Sequence, residues 1–302
     1  MLPRDRGGGY LAGVRRILSL ALAAALPVWA ARADAPLPLG VADLMGARPL
    51  SVSAYRGIAP GNDGIFLNPA GLSARRRFAT ELQYLYDGNA GATGGQWFGV
   101  SMVDSETSAV AGGVAATRFA SGPWLGWATH LAVATPVSPG LYLGATAKYL
   151  SLGGPGGSTV RATTADAGLY WEASSLVSLG LAGYNLIPAG HRQIMPRALG
   201  AGLSIGTDRF MHVALDWRAD FDRRASTTHL LAVGAEVLVL DTVPVRAGFV
   251  KDDTLGGKWW SVGTGLVSAS GVALDVGYRR SVESPADWAV AAALKVFFLS
   301  GQ

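Results

Sequence analysis

The clearest structural signal in the sequence is the run WAVAAALKVFF at positions 288–298. Its even positions are apolar and mostly bulky, from Trp288 to Phe298, whereas its odd positions are alanines followed by Lys295 and Phe297. Because successive side chains of a β-strand point to opposite faces, this period of two predicts an extended strand. One face of that strand is apolar and bulky, and the other is small and carries the charge.

The same alternation recurs from about residue 77 to the end of the chain and predicts fourteen strands. They span residues 78–86, 95–103, 108–118, 124–136, 141–151, 162–172, 176–185, 197–205, 210–221, 228–239, 243–251, 258–268, 271–281 and 287–298. A water-soluble β-sandwich would place Lys, Glu and Thr on its outer face. Here the second face is mostly Gly, Ala and Ser, and the bulky face is aromatic near the strand ends. This pattern predicts an all-β fold, a transmembrane antiparallel β-barrel of about 14 strands.

The predicted connections between the strands alternate in length. Short ones include Val137–Gly140, and longer ones include Phe119–Pro123, Leu152–Arg161 and Leu186–Pro196. Short periplasmic turns and longer extracellular loops are the layout of bacterial outer-membrane barrels. An even number of strands places both ends of the barrel in the periplasm.

The N-terminus predicts a secretory signal peptide over residues 1–33. Arg15 and Arg16 precede the apolar run Ile17–Ala31, and Ala31-Arg32-Ala33 is a small-x-small cleavage pattern. The alternative is an N-terminal membrane anchor, but the run is shorter than the ~20 residues that a spanning helix needs. We therefore expect export through the inner membrane and location in the bacterial outer membrane.

Composition excludes several other classes of protein. The chain has 302 residues, of which 50% are hydrophobic and 15% are charged, and it has no Cys. Disulfide scaffolds and Cys-ligated zinc are thereby excluded. Removal of residues 1–33 leaves twenty cationic and twenty acidic side chains, and this neutral balance gives no reason to expect binding to nucleic acid.

Residues 34–76 do not alternate and contain the turn-forming clusters APGNDG, residues 59–64, and NPAGL, residues 68–72. A segment of this kind needs a surface to pack on, and a lumen lined by Gly and Ala has room for it. The sequence thus divides into a signal peptide at 1–33, an N-terminal plug or hatch at 34–76 and a barrel at 77–302.

The N-terminal motifs are similar to those of one family. Gly46-Ala47-Arg48, followed by NDGIFLNPAGL at residues 62–72 and then a first strand, resembles the entry segment of FadL-type outer-membrane transporters and of their shorter PorV-like relatives. The resemblance implies a fourteen-stranded barrel with an N-terminal hatch. It also implies passive transport of hydrophobic small molecules, such as long-chain fatty acids, with no cofactor. Asn68, Pro69, Ala70 and Gly71 would form the gate motif, and the alternative is that they are a rigid turn that begins the first strand.

Two further functions stay open. The mature chain is short for a classical fatty-acid transporter and has brief loops, which favours a non-transporting PorV-like scaffold or secretion-associated protein. The third candidate is an outer-membrane enzyme, since Gly202-Leu203-Ser204-Ile205-Gly206 matches the Gly-x-Ser-x-Gly nucleophile pattern. That pattern requires a turn from a strand into a helix. Here it ends a Gly-rich strand and meets a short turn, so we expect no catalytic residue and no enzyme.

Lumen-facing charges supply the candidate binding residues. Lys148, Arg246 and Arg279 are candidate contacts for the carboxylate of a ligand, and structural pairing with acids is the alternative for each of them. A second set, a polar cluster in the lumen, contains His212, Asp216 and Arg218, which share a face of one strand. The four His do not have metal-ligand spacing, so we expect no metal.

The expected partners are membrane lipid, hydrophobic small molecules and the outer-membrane assembly machinery. Phe297-Phe298 is similar to the aromatic C-terminal signal that outer-membrane barrels present to that machinery, although Leu299–Gln302 follow it.

Overall fold

A computed structural model describes residues 46–55, 60–88, 94–207 and 210–298. The predicted signal peptide, the first part of the plug segment and the C-terminal tail lie outside these residues. The fourteen strands are β1 (Phe78–Asp87), β2 (Gly95–Asp104), β3 (Ala111–Ser121), β4 (Trp124–Ser138), β5 (Leu141–Gly153), β6 (Thr159–Glu172), β7 (Val177–Tyr184), β8 (Ala198–Gly206), β9 (Met211–Asp220), β10 (Thr228–Val239), β11 (Val243–Asp252), β12 (Gly257–Val267), β13 (Val272–Ser281) and β14 (Trp288–Phe298).

The strands form one closed antiparallel barrel in chain order. Each strand pairs with its sequence neighbours, and the barrel closes where β1 pairs with β14, with Phe78 opposite Phe298. Closure gives every strand a hydrogen-bonded partner on both sides. A sheet in lipid requires this, because no water is present there to bond with the backbone N–H and C=O groups of an unpaired edge strand. The predicted fold class and the predicted number of strands are confirmed.

The two faces of the wall are as the alternation predicts. On β14 the alternating residues Ala289, Ala291, Ala293 and Lys295 are buried in the lumen. The residues between them face outward, where large apolar side chains form a continuous exposed surface around the barrel, such as Leu131, which is 60% exposed. An apolar exterior over a small-residue interior is the arrangement of a transmembrane barrel. No helix in the described part of the chain is long and apolar enough to cross a membrane.

The barrel has two rims. The terminal rim carries Phe78 and Phe298, the ends of the closing strands, and the far rim carries Asp87 at the other end of β1. At the far rim, β3 and β4 are joined by Gly122 and Pro123 alone, because Ser121 still pairs with Trp124. The predicted longer loop Phe119–Pro123 is therefore wrong, because its first three residues belong to β3.

The N-terminal segment lies inside the barrel. It contains helix α1 (Ala47–Val52), a 3₁₀ turn (Gly61–Asp63), helix α2 (Gly64–Leu67) and a second 3₁₀ turn (Pro69–Ser73). Almost all of its described residues are buried, and its apolar side chains join those of the wall in one core cluster. We call residues 46–73 the plug.

Glycines in the wall make room for the plug helix. Gly234, Gly248, Gly263 and Gly277 lie on four successive strands, β10 to β13, and face α1. A Cβ on Gly277 would come within 2.5 Å of the carbonyl oxygen of Ala47, and a Cβ on the other three would also meet the helix. These four glycines of the wall therefore form a site into which α1 packs closely, and we call them the glycine seat.

Candidate transport site

The gate motif forms a capped corner against the wall. Asn68 precedes the 3₁₀ turn, and its side chain accepts a hydrogen bond from the backbone N–H of Ala70 at 3.2 Å. Its Nδ2 donates to the carbonyl of Leu169 in β6 at 3.1 Å. Pro69 supplies the fixed φ that suits the first position of such a turn. The motif therefore has hydrogen bonds within its own turn and is also bonded to the wall.

Two further glycines of the wall pack closely against the gate motif. A Cβ on Gly144 of β5 would meet the backbone of Pro69 and Ala70, and a Cβ on Gly168 of β6 would overlap the side-chain oxygen of Asn68. The plug is seated on glycines on both sides of the lumen, α1 against β10 to β13 and the gate motif against β5 and β6. Any movement of the gate motif would have to break the bond from Asn68 to Leu169.

Buried ion pairs tie α1 to the wall. Arg48 donates to Glu236 of β10, with an Nη2–Oε1 distance of 2.9 Å, and its guanidinium lies 4.8 Å from the ring centroid of Tyr55. Glu236 also pairs with Arg246 of the neighbouring strand, and Arg246 donates in turn to Asp275 at 2.5 Å. Two arginines and two carboxylates alternate here, so their charges compensate within the lumen. Arg246, a candidate ligand contact, lies between two wall carboxylates.

Lys148 is also engaged with an acid of the wall. Its Nζ lies 2.6 Å from Oδ2 of Asp166, and both side chains are 1% exposed. Asp166 accepts a further hydrogen bond from the backbone N–H of Asn185 at 2.8 Å. A pair buried to this extent is a structural element, since either charge alone would carry a large desolvation penalty.

Arg279 differs from the other two candidate contacts. It faces the lumen near the far rim, and its guanidinium lies 5.6 Å from the ring centroid of Trp259. Its Nε has no hydrogen-bond partner, and no described carboxylate lies within ion-pair distance of it. Of the three candidates, it is the one whose charge is available to a ligand.

The predicted polar cluster is extended along β9. His212 lies near the terminal rim, where its ring is 5.3 Å from that of Tyr55 of the N-terminal segment. Arg218 lies near the far rim, over the ring of Tyr184 and 3.4 Å from Asp220. The two are six positions apart along the strand, about 20 Å at ~3.3 Å per residue, with Asp216 between them. The three side chains share a face but have different surroundings.

The Gly-x-Ser-x-Gly segment is part of the wall. Ser204 lies within β8, opposite Ser178, and β8 is followed by a turn into β9 rather than by a helix. This geometry is not the strand-to-helix turn that a nucleophile of this kind requires. No group of His, Asp and Glu that could hold a metal is present among the residues that the structure describes.

Large apolar side chains line much of the far half of the lumen, a feature that the sequence did not predict. Large buried side chains line it from many strands: Leu85, Trp97, Phe119, Trp124, Leu150, Leu152, Leu230, Val250 and Trp259. Ile194 and Met195 of the loop 185–197 cover it at the far rim. We call this lining the far compartment. A signal was present in the adjacent Trp259 and Trp260, because one of two neighbouring strand residues must face inward.

A polar cavity lies at the terminal rim. This cavity has a volume of 510 Å³ and is lined by hydroxyl groups and by charged and aromatic side chains, among them Tyr55, Arg75, Glu172, Ser204 and His212. Arg75, which follows the plug in the chain, pairs with Glu172 of β6. The cavity is thus bounded by the N-terminal segment on one side and by the wall on the other.

Comparison with solved structures places this fold among known channels. No protein-family model and no curated protein sequence matches this chain. The toluene transporter TbuX of Ralstonia pickettii has 14% identity and a TM-score of 0.66, over 85% of this chain and 99% of that one. A Pseudomonas aeruginosa FadL homologue has 13% identity and a TM-score of 0.63, over 84% and 98%. The CymD monoaromatic hydrocarbon channel has 12% identity and a TM-score of 0.62, over 84% and 98%. The fold is that of FadL-type channels, as the sequence resemblance predicts.

Proposed function

We propose that this chain is an outer-membrane channel for the passive transport of hydrophobic small molecules, with the plug as its gate. The observation that carries the proposal is the far compartment. A water-filled porin has a polar lumen, whereas Trp, Phe and Leu side chains line much of the far half of this one. Such a lining gives an apolar solute an environment that water does not. Passive transport requires no chemistry on the solute, and the similar solved structures are described as transporters and channels rather than as enzymes.

The order of the parts along the barrel axis supports a path. A solute would enter the far compartment, pass the plug and leave through the polar cavity at the terminal rim. The similar solved structures are described as toluene transporters, a monoaromatic hydrocarbon channel and a FadL homologue. Those descriptions agree with an apolar solute, and we propose the same class for this chain.

Within that class, Arg279 selects for solutes with a negative head group. Its guanidinium lies against Trp259 in the far compartment and has no described acid beside it. A carboxylate would give this arginine a charge-assisted partner while the hydrocarbon tail contacts the apolar lining. Lys148 and Arg246 hold carboxylates of the wall instead. We therefore propose Arg279 as the contact for the carboxylate of a long-chain fatty acid.

The scaffold alternative also has an observation in its favour. The plug is joined to the wall by the ion pair from Arg48 to Glu236 and by the seat of glycines. A lumen closed in this way suits a protein that presents a surface without conducting. The two functions differ in one respect that can be measured, which is whether the plug must move.

A reversible cross-link tests this directly, because the chain has no native Cys. The hydroxyl oxygens of Ser53, next to α1, and Ser261, in β12, are 2.8 Å apart. The double variant S53C/S261C places a disulfide between the N-terminal segment and the wall. A matched control, T228C/T254C, uses a pair 2.6 Å apart that lies entirely in the barrel.

The assay is uptake of radiolabelled oleate and toluene into vesicles that contain the protein. We expect oxidised S53C/S261C to take up both probes at the rate of empty vesicles and to recover on reduction, while the control conducts in both states. Equal uptake by the oxidised and reduced plug variant would show that the gate assignment is wrong. No uptake by the unmodified protein, together with no apolar ligand bound after purification, would support the scaffold.

A further inference from the structure

Two exposed arginines lie in one row on the outer surface of the barrel. The strand register places Arg118 of β3 opposite Trp127 of β4, Trp127 opposite Ser151 of β5, and Ser151 opposite Arg161 of β6. All four alternate with buried residues, so they face outward. At about 4.8 Å per strand, the backbones of Arg118 and Arg161 are about 14 Å apart. We call these four residues the arginine row.

No acid of residues 111–172 lies on the outer face beside the two arginines. Between Ala111 and Glu172 the sequence contains only Asp166 and Glu172 as acids, and both are on the inner face of β6. Arg118 lies beside an aromatic ring instead, with its guanidinium 5.8 Å from the centroid of Trp127. Trp127 is 54% exposed. The row therefore presents two guanidinium groups and an indole outward, with apolar strand surface beside them.

The arginine row lies near the far rim, as do the other outward-facing cations of the described strands. The outward-facing cations of the described strands all lie within three residues of the far end of their strand. They are Arg118, Arg161, Lys251, Lys258 and Arg280. The outer face of the wall elsewhere is apolar. Cations at one end of an apolar belt, next to aromatic residues, lie at the depth of lipid head groups.

We propose that the arginine row binds the phosphate groups of an anionic glycolipid in the leaflet at the far rim. The planar guanidinium forms paired hydrogen bonds with phosphate oxygens. Acyl chains of the same lipid would lie along the exposed side chains of the neighbouring strands. The inference rests on the proposed outer-membrane location, in which the far rim is the extracellular one and its leaflet contains phosphorylated lipid A.

A second cationic pair on the same rim is a matched control. Lys251 and Lys258 are directly opposite each other on β11 and β12. Each has a carboxylate close by, since Lys251 lies 3.2 Å from Asp253 and Lys258 lies 3.9 Å from Glu283. Replacing both lysines by Gln removes the same charge at the same rim, but from a site that already has its own anions.

The experiment measures how much bisphosphorylated lipid A the detergent-purified protein retains after gel filtration. Lipid A without its phosphates is the comparison lipid, and inorganic phosphate is the competitor. Each cation near an anionic surface contributes roughly a fivefold gain in binding. We therefore expect R118Q/R161Q to bind lipid A about 30-fold more weakly and K251Q/K258Q to bind it nearly as the unmodified protein does.

Several outcomes would overturn the proposal. An equal loss of lipid A binding in both double variants would show a general charge effect. Equal retention of the dephosphorylated lipid would show that the arginines do not bind the phosphates. Displacement by millimolar inorganic phosphate would indicate a site for free phosphate. Heat-modifiable gel mobility verifies that each variant forms the barrel. Oleate uptake in the vesicle assay is expected to be unchanged in R118Q/R161Q, so this test does not depend on the transport mechanism.

Discussion

We expect Gly234→Ala to loosen the packing of α1 against the wall. A Cβ at this position would overlap the carbonyl oxygen of Val52, the last residue of the plug helix. That atom is backbone, so it cannot move away by a change of rotamer, and extra atoms in a packed site cost about 1–3 kcal/mol. Because the clash exists only while the plug is seated, the population of the displaced plug should rise roughly 5- to 150-fold.

Hydrogen exchange of the backbone amides in residues 46–55, measured by mass spectrometry in detergent, reports this population. Gly112→Ala is the control, because its Cβ meets nothing within 4 Å on the outer side of β3. We expect faster exchange of this segment in Gly234→Ala and no change in the control, while the strand amides of both variants stay protected. Unchanged exchange of residues 46–55 in Gly234→Ala would refute the role of the glycine seat in holding the plug.

Two further predictions concern lumen charges. Lys148→Met should destabilise the barrel by about 3–5 kcal/mol, because it leaves the buried carboxylate of Asp166 without its cation. The double variant with Asp166→Leu should recover most of that loss, and the temperature of the heat-modifiability transition measures both; no recovery in the double variant would contradict the pairing. Arg279→Gln should weaken binding of oleate at least tenfold, since a charge-assisted contact contributes about 1.5–3 kcal/mol, and should leave binding of oleyl alcohol unchanged. Quenching of tryptophan fluorescence by brominated analogues measures both ligands, and equal effects on acid and alcohol would rule out a carboxylate contact.

Much of the barrel was predictable because its signal is local. The predicted strand 228–239 matches β10 at both ends, and the others agree to within three residues. β3 differs most. The hydroxyl of Ser108 donates to the carbonyl of Val110 and accepts from its backbone N–H, and this turn delays the start of the strand. Such side-chain turns leave no trace in hydrophobic periodicity.

The candidate site was less predictable, because its parts come from distant positions. The resemblance of residues 62–72 pointed to the plug, but not to the residues that hold it. Arg48 and Glu236 are 188 positions apart. Neither the hydrophobic pattern of the helix nor that of the strand indicates that they form a pair. Likewise, the sequence names Lys148, Arg246 and Arg279 as equivalent candidates, and only their neighbours in space distinguish Arg279.

The sequence by itself determined the secondary structure, the two faces of each strand and the number of strands, because a period of two depends only on neighbouring residues and on the solvent that each face meets. The tertiary structure decided everything that depends on register. Closure of β1 on β14 fixes which inward residues lie at the same level of the lumen. From that alignment follow the far compartment, the glycine seat opposite α1 and the pairing of lumen charges. These are contacts between residues far apart in the chain, and only the closed wall brings them to one place.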